Sequence, residues 1–238
     1  MQKRTRVLLC TFKNETPPPS GFGGSIAQKD PGPFVHIRPR GARENGYAVG
    51  MSVIEDREIV AARDLLDRYR ATYGASDDGP IPVDEIAESY LGLIVQTAPL
   101  EHGISGMLLL REREIRVNAA ECAKWPVRRR FTIAHEIGHW ELHASEVSAN
   151  FICRLGDVRE AGPAKGSPEA VREREANRFA AELLMPEDRM HARVASDGND
   201  VIDQARWFDV SPLSMAYRLY NLGYIKQFPS KTDYDLDD

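Results

Sequence analysis

The chain has 238 residues, 31 of them Lys or Arg against 36 Asp or Glu, and a formal net charge of −5. With 42% hydrophobic and 28% charged residues it is long enough to bury a core, and its length points to one domain with some excess. The sign of the charge speaks against direct nucleic-acid binding, the longest apolar runs fall far short of the roughly 20 residues of a membrane span, and Cys10, Cys122 and Cys153 make neither a disulfide framework nor a C-x-x-C pair.

The start of the chain is basic, but the apolar stretch after it is too short for a signal peptide, so a cytoplasmic protein is expected. Between Pro17 and Gly50, 13 of 34 residues are Gly or Pro, which suits neither a helix nor a central strand. Residues 1–55 are therefore read as a disordered arm, with Met51 as an alternative natural start. The domain is expected over 56–226, with an acidic tail at 227–238.

Ile59, Ala62, Leu65, Leu66 and Tyr69 recur at helical spacing, and Gly74 suits the end of that helix. A turn through Gly79 leads to a short helix from 83 to about 91, closed by Gly92. Residues 93–95 read as a strand. Residues 107–110 and 114–117 read as two more, joined by the charged turn Arg111-Glu112-Arg113.

A long helix is predicted from just after Pro126 to His143, with Phe131, Ala134, Ile137 and Trp140 as its apolar positions. It carries His135-Glu136-Ile137-Gly138-His139, an H-E-x-x-H. Four residues advance a helix by about 6 Å and one turn plus about 40°, so His135 and His139 project from one face and can bind one zinc ion. Glu136 beside them can take a proton from a metal-activated water. His143 lies one turn further and drifts off the metal. It reads as packing, or as a residue that orients a ligand.

After a Gly-rich loop, Ser167-Pro168-Glu169 provides an N-cap, a proline at the first helical position and an acid in the first turn. The helix runs to Met185 and stops at Pro186. Ala176, Phe179, Ala180, Leu183 and Leu184 define its buried arc, and Glu173 falls inside that arc while Glu175 falls outside. A carboxylate on a buried face needs a counter-charge, and a zinc ion provides one, so Glu173 is the candidate third ligand. Arg172 shares the arc, and an ion pair of Glu173 with an arginine is the other reading. Asn177, one turn on, can orient a ligand histidine through its second ring nitrogen.

The last elements are helices at about 201–208 and 212–222, the second opened by Ser211-Pro212 and closed by Gly223. Their rhythm is that of a helix-turn-helix, but residues 212–220 offer only Arg218 as a cation, among Leu213, Met215, Ala216 and Leu219. A helical cap (about 187–226) packed on the rest is the favoured reading.

The stretches 129–140 (Arg-Arg-Phe-Thr-Ile-Ala-His-Glu-Ile-Gly-His-Trp) and 175–186 (Glu-Ala-Asn-Arg-Phe-Ala-Ala-Glu-Leu-Leu-Met-Pro) resemble the ImmA/IrrE family of metallopeptidases. Pro82-Val83-Asp84-Glu85-Ile86-Ala87, Ser105-Gly106 and Ile115-Arg116-Val117-Asn118 are also similar, and the resemblance covers roughly residues 56–225. It implies an α+β, zincin-like core of helices on a small, mostly antiparallel sheet. The Glu-x-x-Ala-Asn arrangement matches the gluzincin pattern, in which Glu173 is the third zinc ligand. Members of the family cleave a helix-turn-helix repressor partner to relieve repression in mobile elements or stress responses.

The expectation is thus an endopeptidase with zinc on His135, His139 and Glu173 (Mn2+ serving in vitro) and Glu136 as base. His143, His191 and Tyr217 are weaker candidates for an oxyanion donor, and 105–118 is the expected edge for an extended substrate. Two rivals remain from other classes: a DNA-binding regulator built on the C-terminal helix pair, and a zinc-binding interaction module without hydrolysis.

Overall fold

A computed structural model describes residues 56–74, 78–146, 150–154 and 166–230. The predicted arm at 1–55 and the end of the tail, 231–238, lie outside the described residues.

Helix α1 (Arg57–Tyr73) buries Ile59, Ala62, Leu65, Leu66 and Tyr69, the stripe predicted from spacing, and stops at Gly74 in the left-handed region at φ 63°. α2 (Val83–Glu85) passes directly into a π-helical turn at Ile86–Tyr90, and Gly92 (φ 65°) turns the chain into β1 (Ile94–Ala98). β2 (Ile104–Leu109) and β3 (Glu114–Asn118) form the predicted hairpin, with Arg113 left-handed at its turn.

α3 (Ala119–Lys124) was not predicted, although its signal is readable: the Asn118 side chain accepts from Ala120 N at 3.0 Å, and Glu121 stands three residues after that cap. α4 (Pro126–His143) follows at once. β4 (Phe151–Arg154) was also missed, because four residues are too few for an alternation to register. α5 (Pro168–Leu184) has the expected cap, Ser167 Oγ accepting from Ala170 N at 3.1 Å.

The sheet has the order β1-β3-β2-β4; β1 runs parallel to β3, and the other two pairings are antiparallel. This corrects one expectation. Segment 105–118 is β2 and β3, which are the two inner strands, so among the described residues the edges belong to β1 and β4. The hairpin is as predicted, but β4, which follows α4 in the chain, pairs along the outer flank of β2.

α4 lies on the sheet and against α5, and it is buried on every side from Thr132 to His139. The α4–α5 crossing is close because both helices are small there. A Cβ on Gly138 would come within 3.1 Å of the Ala176 Cα and 3.2 Å of the Phe179 ring. Backbone proximity of this kind is what lets a carboxylate on α5 reach a histidine on α4.

After Pro186 the chain turns into α6 (Glu187–Asp197), which the expected stop at Pro186 concealed. Proline also suits the start of a helix, and Glu187 with Asp188 complements the new N-terminus. α7 (Val201–Phe208) and α8 (Pro212–Asn221) are the predicted pair.

Their docking is electrostatic as well as apolar. Glu182, 1% exposed near the end of α5, receives Arg63 Nε of α1 at 2.8 Å and the guanidinium of Arg218 on α8. Arg218 is itself 5% exposed, and its Nε donates to the Met185 carbonyl at 3.0 Å. A buried pair of this kind is costly to break from one side, since the remaining charge is stranded. Among the described residues, no helix is long and apolar enough to cross a membrane.

Candidate metal centre

His135 and His139 stand one turn apart on the buried face of α4, with their Nε2 atoms 3.0 Å apart. α5 brings the Glu173 carboxylate across them: Oε2 lies 3.2 Å from His135 Nε2, and Oε1 lies 3.2 Å from His139 Nε2. Bonds of about 2.0–2.2 Å in tetrahedral geometry separate zinc ligands by roughly 3.3 Å, so the two ring nitrogens and the carboxylate converge at a spacing that suits one such ion. The donor chemistry, two imidazoles and a carboxylate, is also that of a zinc site with a coordination position left over.

The other ring nitrogens are held as well. His135 Nδ1 lies 3.0 Å from Asn177 Oδ1, so it donates its proton there and leaves Nε2 with a lone pair. His139 Nδ1 lies 3.1 Å from His143 Nδ1, and His143 Nε2 lies 2.9 Å from Glu175 Oε2. A carboxylate can only accept, so His143 carries its proton on Nε2. Its Nδ1 then accepts from His139 Nδ1–H, and the His139 lone pair also falls on Nε2. Burial lowers His139 to about 4 and lowers His143 too, which keeps both rings neutral.

Arg57 closes the chain: its Nη2 is 3.8 Å from Glu175 Oε2 and donates to the Leu142 carbonyl at 3.0 Å. Glu173 turns one carboxylate oxygen to each Nε2 of His135 and His139, and its side chain is 16% exposed. Arg172, which shares its arc, turns instead to Glu169 at 3.3 Å.

Glu136 points elsewhere. It is fully buried, neither carboxylate oxygen has a hydrogen-bond partner, and burial pushes its pKa up to about 8. Interior polar groups are nearly always paired, so two orphan oxygens beside three convergent donors mark a place where something else supplies the partner.

β2 makes room for that group. A Cβ on Gly106 would lie 3.2 Å from Glu136 Oε1 and only 2.4 Å from Thr132 Cγ2, so the strand crosses α4 where only glycine fits. On the neighbouring strand, Phe151 stacks on His139 with ring centroids 4.2 Å apart and 16° between planes.

The structure therefore gathers His135, His139 and Glu173 at one point, with Glu136 beside them and Asn177 and His143 on the outer ring nitrogens. His191 stands apart from this cluster with Tyr224 and Glu187, and Tyr217 rests its ring near Phe228. Sequence reasoning placed Glu175 outside the buried arc without finding its contact with His143, and missed Arg57, Phe151 and Cys153. None follows a motif spacing; the Glu175 contact could be found only by asking what a third histidine at i+8 hydrogen-bonds.

The Peptidase_M78 family model, described as the IrrE N-terminal-like domain, matches residues 89–220, a span that contains all four central residues. No curated protein matches the chain. Nine solved chains match. One of them, a Mycobacterium tuberculosis transcriptional regulator, is 22% identical, with a TM-score of 0.48, and the match covers 70% of this chain and 47% of that one. The present chain thus spans about half the length of that solved relative.

Proposed function

The chain belongs to the Peptidase_M78 family, and on that premise we propose that it is a zinc-dependent endopeptidase that cleaves a helix-turn-helix repressor partner. The observation that carries this reading is the convergence of His135 Nε2, His139 Nε2 and Glu173 beside the unpaired, buried carboxylate of Glu136. When bound, zinc supplies Lewis-acid polarisation of the scissile carbonyl and a lowered pKa for water.

The residues of the chain do the rest. Asn177 and His143 fix the tautomers that direct both Nε2 lone pairs inward. Glu136 takes a proton from the attacking water and later gives it to the leaving amine. β4 forms one edge of the sheet and passes under His139, so an extended substrate adds to the sheet there rather than at 105–118. Residues 56–226 are the catalytic unit, with 187–226 as its cap.

A DNA-reading role for α8 is disfavoured by Arg218. The only cation in 212–220 spends its charge on Glu182 inside the protein rather than on phosphate.

The test is to incubate the protein with zinc and a candidate repressor, and to look for a defined fragment. Glu136→Gln is expected to retain zinc and lose cleavage, and full activity in that variant refutes the base. Glu173→Ala is expected to lose zinc on dialysis. An uncleaved complex that forms equally well with chelator present would favour the interaction module.

A further inference from the structure

The proposed reaction leaves the buried thiol of Cys153 unused. Cys153 on β4 is paired antiparallel with Gly106 on β2, and directly opposite residues in such a pair send their side chains to the same face. Gly106 shows what that face looks onto, since a Cβ there would stand 3.2 Å from Glu136 Oε1. Cys153 occupies the adjoining space. Its Sγ, a ring nitrogen of His135 and a carboxylate oxygen of Glu136 all lie within 4.8 Å of one another. The three residues are 2%, 0% and 0% exposed, and both Glu136 oxygens are unpartnered. Phe151, two residues earlier on the same strand face, lies under His139 as Cys153 lies beside His135.

We propose that His135, Glu136 and Cys153 form a second, overlapping donor set that holds a thiophilic divalent cation, of the zinc and cadmium class, in a closed position. Thiolate, imidazole and carboxylate together are a donor set for such ions rather than for magnesium or calcium. Metal bonds of about 2.0–2.3 Å bring donors to roughly 3.3–3.7 Å, so groups already within 4.8 Å close by at most about 1.5 Å. As the metal–sulfur bond forms, the thiol proton passes to solvent, because a coordinated thiol is deprotonated.

His135 has one ring nitrogen to offer, since Nδ1 is held by Asn177, so the closed and open positions exclude each other. In the closed position Glu136 is a ligand and cannot act as a base. That consequence rests on the proposed function; the binding does not.

The test uses the metal-free full chain titrated with Cd2+ alone, read by the ultraviolet thiolate-to-cadmium absorption and by ion stoichiometry. The wild type is expected to show the band, Glu173→Ala to keep it with one ion per chain, and Cys153→Ser to lose it. A band absent from the wild type, or one that persists in Cys153→Ser through Cys10 or Cys122, overturns the proposal. X-ray absorption on the cadmium-loaded wild type needs no variant: a sulfur neighbour supports the site, and a shell of nitrogen and oxygen alone overturns it. The peptidase reading fails separately, if Cys153→Ser binds zinc no more tightly than Cys153→Ser with Glu173→Ala.

Discussion

Replacing Glu136 by Gln in the metal-free protein changes the pH dependence of stability, and the size of the effect follows from the surroundings of that carboxyl. Glu136 is fully buried with both oxygens unpaired, and burial raises its pKa from 4.5 to about 8. The folded protein therefore takes up a proton that the unfolded chain does not hold between those two values. With a folded pKa above the unfolded one, the stabilising proton is fully in place below pH 4.5, and stability is lost as the pH rises toward 8.

At 1.36 kcal/mol per unit, that interval amounts to about 5 kcal/mol. Glutamine keeps the shape and cannot ionise. The stability advantage of Glu136→Gln over wild type is expected to be near zero at the acid end of the interval, and to grow to about 5 kcal/mol at the alkaline end. Urea denaturation of both proteins in chelator, from about pH 5 to about pH 8, measures it directly. Parallel stability curves across that range would refute the picture of an unsolvated, unpaired carboxyl.

Other perturbations reach further into the structure. Glu175→Ala removes the acceptor that fixes His143, and is expected to weaken zinc binding by about 10–100-fold in a chelator competition; unchanged affinity would detach His143 from the centre. Arg218→Ala strands part of the Glu182 charge and is expected to cost about 3 kcal/mol of unfolding free energy without changing the zinc content. Despite its burial, Glu182 is held below the usual carboxylate range by Arg218 and Arg63. Its contribution is therefore present above the unfolded pKa and lost as the pH falls, and Arg218→Ala should flatten that acid-side loss. Gly106→Ala drives a methyl into Thr132 and is expected to destabilise by about 1–3 kcal/mol; Gly106→Ala with Thr132→Ser, which lacks the offending Cγ2, should recover part of the loss, and no recovery would place the clash elsewhere.

What the sequence by itself determined was local. The four-residue interval between His135 and His139 places both on one helix face at any position in any fold, and the arc through Ala176, Phe179 and Leu183 turns Glu173 inward without reference to what lies opposite. Gly74, Ser167 and Pro168 mark helix ends because their backbone preferences and hydrogen bonds act within one turn.

Periodicity tells which face is buried, but not against what. So 105–118 could be read as a hairpin and not as the middle of the sheet, because the strand that covers it follows α4 and is only four residues long. No local pattern pairs Arg218 with Glu182, 36 residues earlier; the packing of α8 against the end of α5 does. The chain from His139 through His143 to Glu175 and Arg57 joins α4, α5 and α1, and Cys153 meets His135 only because β4 pairs with β2. Such partners are chosen by packing between elements distant in sequence, where the free energy depends on mutual approach, and that approach exists only once the tertiary structure has formed.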